Sequence, residues 1–530
     1  MARKKRFLYI ELKEAFTEAV PEYSLFAPRR KAHFKHLLDA IDYAAGHRKI
    51  AAILLVLREP NLGWAQIEEL VHALDDFRHR GKQVVVFMES GGNKEYFLAC
   101  AGDSIYLAPS GNLNLVGLRA ELIFFKNALH WLGIQPELTH VGKYKSAGDI
   151  FTHEGISEAQ QEQIQTLIED LQQQLGERVS ACRRKTKEQV AAALDEGPYS
   201  AREAKERGLV DDLLFEDQVI SRLESQKLVK QELERTRVGE GFWKRLLTYR
   251  RTQVALIVAE GMIASGKSRR TGTPRMICGS ETMARLLADA RRRKRVRGVV
   301  LRVNSPGGSG LASDIIWREV QLTAEKKPVV VSMGDMAASG GYYIATAGAK
   351  ILAQRATVTG SIGVIGGKFV IRDLLEKLKV RMDSISGAVH AGFYSALEPF
   401  TAAERETMRR HLQEFYRVHF VTKVARSRHR DENEILKVAQ GRVWSGERAQ
   451  QHGLVDRIGG IREAIEEVRN LSRLPPERRL RVVVFARKPS FWEMLVPGFG
   501  SAALWDSLGD LLRILCEEVL ALAPFEIRIK

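Results

Sequence analysis

The sequence contains few cysteines and no long apolar run. Its four cysteines are far apart and form no paired motif, which argues against a metal cluster or a disulfide framework. We expect no metal and no cofactor. No stretch approaches the roughly 18 consecutive apolar residues that a membrane-spanning helix needs. The basic N-terminus is interrupted by Glu11 before a signal-peptide core could form, so we expect neither a signal peptide nor a membrane anchor.

Acidic residues are also in short supply. The chain has 82 Lys and Arg against 65 Asp and Glu, a formal net charge of +17, which suits contact with anionic lipid, nucleic acid or acidic ligands. The longest basic run, 291–295, follows a helix-like segment and has no aromatic residues interleaved with it. Such a run is typical of a solvated helix end, and we expect no nucleic-acid partner. Because we expect neither a signal peptide nor a transmembrane anchor, the sequence predicts a location that is cytoplasmic or peripheral to a membrane.

The chain is a tandem duplication. Four pairs of similar segments recur at nearly one spacing, which chance does not produce. The pairs are 6–12 with 254–259, 53–58 with 299–302, 96–102 with 342–348, and 208–211 with 453–456. We therefore expect two repeats with the same fold.

Within each repeat, short apolar runs alternate with longer segments of helical period. Residues 83–88 and 328–333 are near-continuous apolar runs, as expected for strands that are buried on both faces. The segments 64–79 and 280–293 are amphipathic with a helical period. This alternation predicts an α/β fold in which each repeat has a largely parallel sheet and flanking helices.

The chain divides into four parts by composition. They are a first repeat at 1–224, a charged linker without strand character at 225–252, a second repeat at 253–474 and a C-terminal tail at 475–530. The tail contains a predicted amphipathic helix at 502–523, whose acidic residues make it a poor binder of anionic lipid. We expect this helix to pack against the rest of the chain or another subunit, with docking on a membrane as the alternative.

Two glycine-rich turns, 303–308 and 334–341, follow predicted strands of the second repeat. Glycines at such turns allow positive φ and expose backbone N–H groups to a ligand. Ser339 lies in the second turn between small residues, so a substrate carbonyl could reach its hydroxyl. An oxyanion hole needs two N–H donors near that hydroxyl. The candidate donors are Gly307, Gly308 and Gly340. The alternative is a tight strand–helix junction without chemistry.

A serine hydroxyl needs a base, and the alignment of the two repeats suggests one. Lys145 in the first repeat corresponds to Tyr394 in the second. Conversely, Ser339 corresponds to Asn93 in the first repeat. Each repeat has kept one reactive group and lost the other, as expected for an active site that is divided between them.

Other candidate bases are weaker. His140 and His390 have no supporting constellation and are interpreted as surface or packing residues. Lys143 is a rival, because on an extended segment it would face the same side as Lys145. A lysine can act as a base only when neutral, which requires burial to lower its pKa. A nearby hydroxyl such as that of Ser361 could orient the amine without adding charge.

These residues and motifs resemble the signal peptide peptidase A family (protease IV) in its long, duplicated form, over residues 5–470. The matching motifs are 144–147, 303–308, 336–342, 359–363, 441–446 and 453–456. The resemblance implies that Ser339 is the nucleophile and Lys145 the base, with Ser361 assisting. It also implies a Clp protease/crotonase-like fold in each repeat and a bowl-shaped homotetramer. The implied substrates are signal peptides and other small unstructured or hydrophobic polypeptides.

Two further functions stay open beside this serine peptidase with a Ser–Lys dyad. A crotonase-like acyl-CoA enzyme would share the paired glycine turns, and the basic surface would suit CoA, but it does not explain why Ser339 and Lys145 are divided between the repeats. An inactive scaffold would retain the dyad only by descent. Family members usually begin with a membrane anchor, which we do not find at the N-terminus, so a membrane association through another surface also stays open.

Overall fold

The computed structural model describes residues 5–13, 16–18, 33–233, 252–270, 276–476, 478, 480–486, 520–522 and 528–529. The strands of the first repeat are β1 (Arg6–Leu12), β2 (Ile50–Leu57), β3 (Gln83–Met88), β4 (Gly91–Gly92), β5 (Ser104–Leu107), β6 (Asn112–Asn114), β7 (Ala120–Glu121), β8 (Gln135–Val141), β9 (Tyr199–Ser200), β10 (Asp212–Leu213) and β11 (Val229–Glu232). Its helices are α1 (Phe34–Gly46), α2 (Trp64–His79), α3 (Asn93–Ala99), α4 (Lys126–Leu132), α5 (Asp149–Thr152), α6 (Glu158–Arg183), α7 (Lys187–Glu196), α8 (Ala201–Glu206) and α9 (Glu216–Ser225).

The second repeat and the tail continue this alternation. Their strands are β12 (Gln253–Glu260), β13 (Met262–Ala264), β14 (Arg269–Arg270), β15 (Met276–Gly279), β16 (Val296–Ser305), β17 (Gly307–Ser309), β18 (Val329–Ala338), β19 (Lys350–Ala353), β20 (Val358–Gly360), β21 (Val364–Val370), β22 (Val443–Ser445), β23 (Arg457–Ile458), β24 (Arg481–Phe485), β25 (Leu520–Leu522) and β26 (Arg528–Ile529). The helices are α10 (Ser280–Arg292), α11 (Gly310–Ala324), α12 (Gly340–Ala345), α13 (Arg372–Lys377), α14 (Ala402–Glu414), α15 (Thr422–Arg428), α16 (Glu432–Val438), α17 (Gly446–Gln451) and α18 (Ile461–Leu471), with a π-helical turn at Phe415–Val421.

The two repeats build sheets with the same strand order. The first sheet runs β10-β5-β3-β2-β1-β11, and all its pairs are parallel. The second contains the equivalent path β23-β19-β18-β16-β12-β24, also parallel. It adds β20, which pairs with β18, and β22, which pairs with β20. Each sheet has its own hydrophobic core, because helices cover its apolar strands. The predicted duplicated α/β fold with largely parallel sheets is confirmed.

The structure differs from the sequence analysis at the ends of both repeats. The linker was expected to lack strands, but β11 lies within it and pairs with β1. The second repeat was expected to end near Leu474, but β24 holds the same edge position beside β12. Both edge strands are short and follow polar segments, so their periodicity is weak. The remainder of the linker, 234–251, lies outside the described residues.

Most of the predicted tail helix also lies outside the described residues. Its described part, Leu520–Leu522, is a strand and not a helix. This strand belongs to a third sheet with the order β14-β15-β13-β17-β25-β21-β8. Within the described part of the chain, no helix combines the length and the apolar character needed to cross a bilayer.

The third sheet joins the two repeats. β8 of the first repeat pairs antiparallel with β21 of the second, from Gln135 opposite Val370 to Val141 opposite Val364. This pairing places the segment that follows β8 beside the second repeat, next to its glycine-rich turn at 334–341.

Candidate active site

Ser339 lies at the turn between β18 and α12, where the strand ends at Ala338 and the helix begins at Gly340. Its backbone has φ 55° and ψ −115°, a conformation that is costly for a residue with a side chain and that its surroundings must hold in place. Its N–H donates to the Gly360 carbonyl at 2.8 Å, and its carbonyl accepts from the Tyr343 N–H at 2.8 Å. These bonds fix the direction of a buried serine side chain.

Lys145 reaches this serine from the first repeat of the same chain. It follows β8 and precedes a single 3-10 turn at Ser146–Gly148. Its Nζ lies 2.7 Å from Ser339 Oγ and 3.1 Å from both the hydroxyl and the carbonyl oxygen of Ser361. The structure thus brings together the three side chains that the sequence analysis named for nucleophile, base and assistant.

The amine of Lys145 lies in an environment that disfavours its charged form. The residue is fully buried, as are Ser339 and Ser361. Burial lowers the pKa of Lys145 well below its ordinary value, because an ammonium group loses its hydration there. An amine with a lowered pKa, 2.7 Å from a serine hydroxyl, can accept the hydroxyl proton.

Residues 440–443 of the second repeat lie directly against the lysine. Gly441 has φ +78°, and a Cβ there would come within 2.6 Å of the Lys145 Cβ, so only glycine fits. Gly142, just before the lysine, approaches the backbone of Gln440 in the same way: its missing Cβ would lie 2.5 Å from the Gln440 carbonyl carbon. Two glycines therefore allow the two repeats to meet backbone to backbone at the site.

The rival base Lys143 does not reach the site. The segment was expected to be extended, with Lys143 on the same side as Lys145, but it turns at Gly142, where φ is +113°. The Lys143 side chain is exposed and pairs with Glu162 at 3.9 Å. His140 and His390 are exposed, in line with their interpretation as surface residues.

The residues that correspond to the reactive ones have structural or surface roles. Asn93 is buried, and its amide donates to the Gly117 carbonyl at 2.7 Å and accepts from the Val116 N–H at 3.3 Å. Tyr394 is 43% exposed. Neither provides a nucleophile or a buried base.

The candidate oxyanion donors lie on two elements that contact each other, β17 and α12. Gly340 follows the nucleophile in the chain. Gly308 has φ +152°, and a Cβ there would lie 2.0 Å from the Ile263 carbonyl oxygen. The N–H of Gly307 donates to Ser305 Oγ at 3.1 Å, and Gly308 pairs with Ile263 of β13 and with Ala521 of β25.

The tail strand β25 lies beside these turns. It runs antiparallel to β17, with Ala521 opposite Gly308, and antiparallel to β21, with Leu520 opposite Ile365. It also contacts α12, which begins next to Ser339. The space between β17 and β21 therefore accepts one extended segment of polypeptide.

Gln163 belongs to the surroundings of the site, although the sequence pattern did not single it out. Gln163 lies on the buried face of α6 and hydrogen-bonds to residues on both sides of Lys145. A polar residue repeated on the apolar face of a helix is the signal that could have drawn attention to it.

No group of three or more His, Cys, Asp or Glu side chains in the described ranges is arranged to hold a metal ion.

Comparison with known proteins gives consistent matches. The profile of peptidase family S49 matches residues 76–230 and 321–474. A chloroplastic serine protease SPPA from Arabidopsis thaliana is 34% identical over 468 residues, covering 87% of this chain and 69% of that protein. A protease 4 from Salmonella typhi is 32% identical over 501 residues (92% and 78%), and one from Haemophilus influenzae is 30% identical over 466 residues (84% and 74%).

Proposed function

Since the chain belongs to peptidase family S49 and is a serine peptidase, we propose that it is an endopeptidase in which Ser339 is the nucleophile and Lys145 the general base. The observation that carries the proposal is the 2.7 Å contact between Lys145 Nζ and Ser339 Oγ, in a site where burial lowers the pKa of the lysine. The contact joins the two repeats within one chain, so both are needed for one site.

In the proposed acylation, neutral Lys145 accepts the hydroxyl proton while Ser339 Oγ attacks the peptide carbonyl carbon. The negative charge that develops on the carbonyl oxygen is stabilised by the N–H groups of Gly308 and Gly340. The Lys145 ammonium then gives its proton to the leaving amine, and the C–N bond breaks. Water, deprotonated by the same amine, hydrolyses the acyl-enzyme and releases Ser339.

Ser361 supports the amine in both protonation states. Its hydroxyl can donate to neutral Lys145, and its hydroxyl and carbonyl oxygens can both accept from the ammonium at 3.1 Å. With Ser339 Oγ as the third acceptor, the transient ammonium has a partner for each of its protons. Ser361 therefore orients the base without introducing a charge that would hold the lysine protonated.

The proposed substrates are signal peptides and other small unstructured or hydrophobic polypeptides. The position of β25 between β17 and β21 supports an extended binding mode, because backbone hydrogen bonds to two strands recognise any polypeptide that lacks its own structure. A folded protein could not place a strand there without first unfolding locally.

The assembly and the location are separate proposals. On the family resemblance we propose a homotetramer, which sedimentation equilibrium of the purified chain measures directly. The excess of basic residues supports a peripheral contact with anionic lipid, and co-sedimentation with vesicles of anionic and of neutral lipid tests it. A monomer at all concentrations, or equal recovery with both vesicles, would contradict these two proposals.

The central experiment assays the purified protein against a hydrophobic fluorogenic peptide and against an acyl-CoA. We expect cleavage of the peptide and loss of about 10³-fold or more in Ser339→Ala and in Lys145→Ala. Lys143→Ala, two residues away and exposed, is the matched control and should stay within about twofold. Peptide cleavage that survives either dyad variant would refute the dyad, and turnover of acyl-CoA alone would favour the crotonase-like alternative.

The pH dependence gives a second test of the base. Activity should fall at low pH as Lys145 takes up a proton, with a limit of tenfold per pH unit below the acid limb. A rate that does not change on the acid side would argue against an amine base.

A further inference from the structure

Gln163 lies on the buried face of α6, between the two repeats, and its side chain is fully buried. Its Nε2 donates to the Tyr144 carbonyl at 3.2 Å and to Ser146 Oγ at 2.9 Å. Its Oε1 accepts from the Val443 N–H at 3.3 Å. One amide group thus contacts the residues before and after Lys145 and also the segment of the second repeat that borders them.

The segment that Gln163 contacts in the second repeat also holds the assistant serine. The Arg442 carbonyl accepts from the Ser361 N–H at 2.7 Å, and the Gly441 N–H donates to the Ile362 carbonyl at 2.7 Å. The Tyr144 N–H donates to the Gln440 carbonyl at 2.8 Å. Residues 440–443 are therefore the common support of Lys145 and Ser361.

We propose that Gln163 is a positioning residue for Lys145, and this proposal rests on the function proposed above. By holding both neighbours of Lys145 against residues 440–443, the amide sets the distance from Nζ to Ser339 Oγ. Without it, a part-buried carbonyl, a buried hydroxyl and a buried N–H each lose a hydrogen-bond partner. The lysine segment relieves that cost by shifting, and a shift of about 1 Å at a reacting group costs on the order of 10² in rate.

Gln174 provides a matched control on the same helix. It is buried, and its Nε2 donates to Glu447 Oε2 of the second repeat at 3.1 Å. It lies three turns further along α6, so it links the repeats without contacting the neighbours of Lys145. Replacing Gln174 with Leu removes one part-buried hydrogen bond between the repeats, whereas replacing Gln163 removes three hydrogen bonds.

The experiment compares Gln163→Leu with Gln174→Leu in kcat and KM for the hydrophobic fluorogenic peptide across pH, together with thermal unfolding. For Gln163→Leu we expect kcat to fall about 100-fold with KM within about twofold. Its acid limb should move to higher pH, because a loosened Lys145 regains hydration and its pKa rises. Gln174→Leu should lose less thermal stability, because it gives up one hydrogen bond and not three, and should keep both kcat and the acid limb.

Gln163→Glu keeps the size of the side chain and replaces Gln163→Leu in the comparison if the leucine variant does not fold. A carboxyl group beside Lys145 favours the ammonium, so the acid limb should again move to higher pH and kcat should fall. The proposal is overturned if the Gln163 variants lose thermal stability but keep the wild-type kcat and acid limb, because the amide would then have a structural role alone. If the wild type does not cleave the peptide, or if Lys145→Ala still cleaves it, the function on which the proposal rests is refuted instead.

Discussion

The first and second repeats differ in their reactive residues while sharing their internal hydrogen bonds. In the first, Tyr96 donates to the Leu209 carbonyl at 2.6 Å, and in the second Tyr342 donates to the Leu454 carbonyl at 2.9 Å. The same correspondence holds for two aspartates. Asp211 accepts from the Ile105 N–H at 2.6 Å, and Asp456 accepts from the Ile351 N–H at 2.8 Å. The recurring tyrosine and the Gly-Leu-Val-Asp motif are therefore retained for folding.

The positions of the proposed nucleophile and base, in contrast, hold different residues in the two repeats. Three residues before the shared tyrosine, one repeat has Asn93 and the other Ser339. At the position of the base, one has buried Lys145 and the other exposed Tyr394. The comparison teaches that the framework and the chemistry of a repeat can be separated. The proposed dyad takes one residue from each repeat, and the two residues meet near the place where β8 and β21 join the repeats.

The largest expected effect comes from an attempt to move the nucleophile to the first repeat. In a variant with Asn93→Ser and Ser339→Ala, we expect peptidase activity to stay about 10³-fold or more below wild type, as in Ser339→Ala alone. The reason is that the second repeat has Tyr394, which is exposed, at the position that corresponds to Lys145, so it offers no buried lysine there. The fluorogenic peptide assay measures this, with Asn93→Ser alone as the control for folding. Restored activity would show that the first repeat retains a site of its own.

The second prediction concerns the buried charges that hold the repeats together. Arg302 is fully buried in the second repeat, and its guanidinium pairs with Glu18 at 2.7 Å and Glu69 at 2.6 Å in the first part of the chain. Arg302→Met should lower the free energy of unfolding by about 3–5 kcal/mol, because two buried carboxyl groups lose their partner. Urea denaturation measures the change.

The control for that experiment is an exposed arginine of the same repeat. Arg318 pairs with Glu325 at 4.0 Å, and both side chains are more than half exposed. Arg318→Met should change the free energy of unfolding by less than about 1 kcal/mol. Equal losses in the two variants would mean that the buried pairs do not join the repeats more strongly than surface charges do.

The sequence allows most of the framework to be predicted, and it also names the two side chains that the structure brings to 2.7 Å from each other. The helix α2 begins and ends at the expected residues, Trp64 and His79, because its amphipathic period is regular. Ser339 and Lys145 could be named because the duplication shows what each repeat has lost. These two facts depend on local pattern and on alignment, both of which are properties of one sequence.

The surroundings of the dyad could not be predicted in the same way. Gln163 contacts Val443 across 280 positions of the chain, and Gly441 meets Lys145 across nearly 300. No local periodicity records such a pairing, because it depends on how two finished sheets dock. The strand β25 was missed for a related reason: its pairing partners β17 and β21 determine its conformation, overriding the helical pattern of its own residues.

The third prediction concerns the effect of the buried Lys145 amine on the free energy of unfolding. Burial lowers the pKa of Lys145, so the unfolded chain binds a proton that the folded chain does not. The free energy of unfolding therefore rises with pH as the unfolded chain loses this proton. The rise is complete only above the pKa of lysine in the unfolded chain, about 10.4. The free energy of unfolding of Lys145→Met minus that of the wild type should therefore be more positive at neutral pH than at pH values near 10.

Chemical denaturation of both proteins at several pH values tests the sign of this difference. Lys143→Met removes an exposed lysine from the same segment and should show a much smaller change with pH. A difference between Lys145→Met and wild type that does not vary with pH would mean that the lysine is protonated in the folded protein. That result would also weaken its role as a base.

The smallest expected effect concerns the tail strand β25, which has no counterpart among the described residues of the first repeat. Ala521 lies opposite Gly308 in the space that an extended substrate would need. Ala521→Pro removes an N–H and disfavours a strand between two others, so the space should open more often. We expect kcat/KM for the fluorogenic peptide to rise by about two- to fivefold, because the substrate no longer competes with the tail. Arg528→Pro is the control, since β26 pairs with β7 of the first repeat. A fall in kcat/KM with unchanged thermal unfolding would instead mean that β25 forms part of the groove, and that the second repeat needs the tail to bind its substrate.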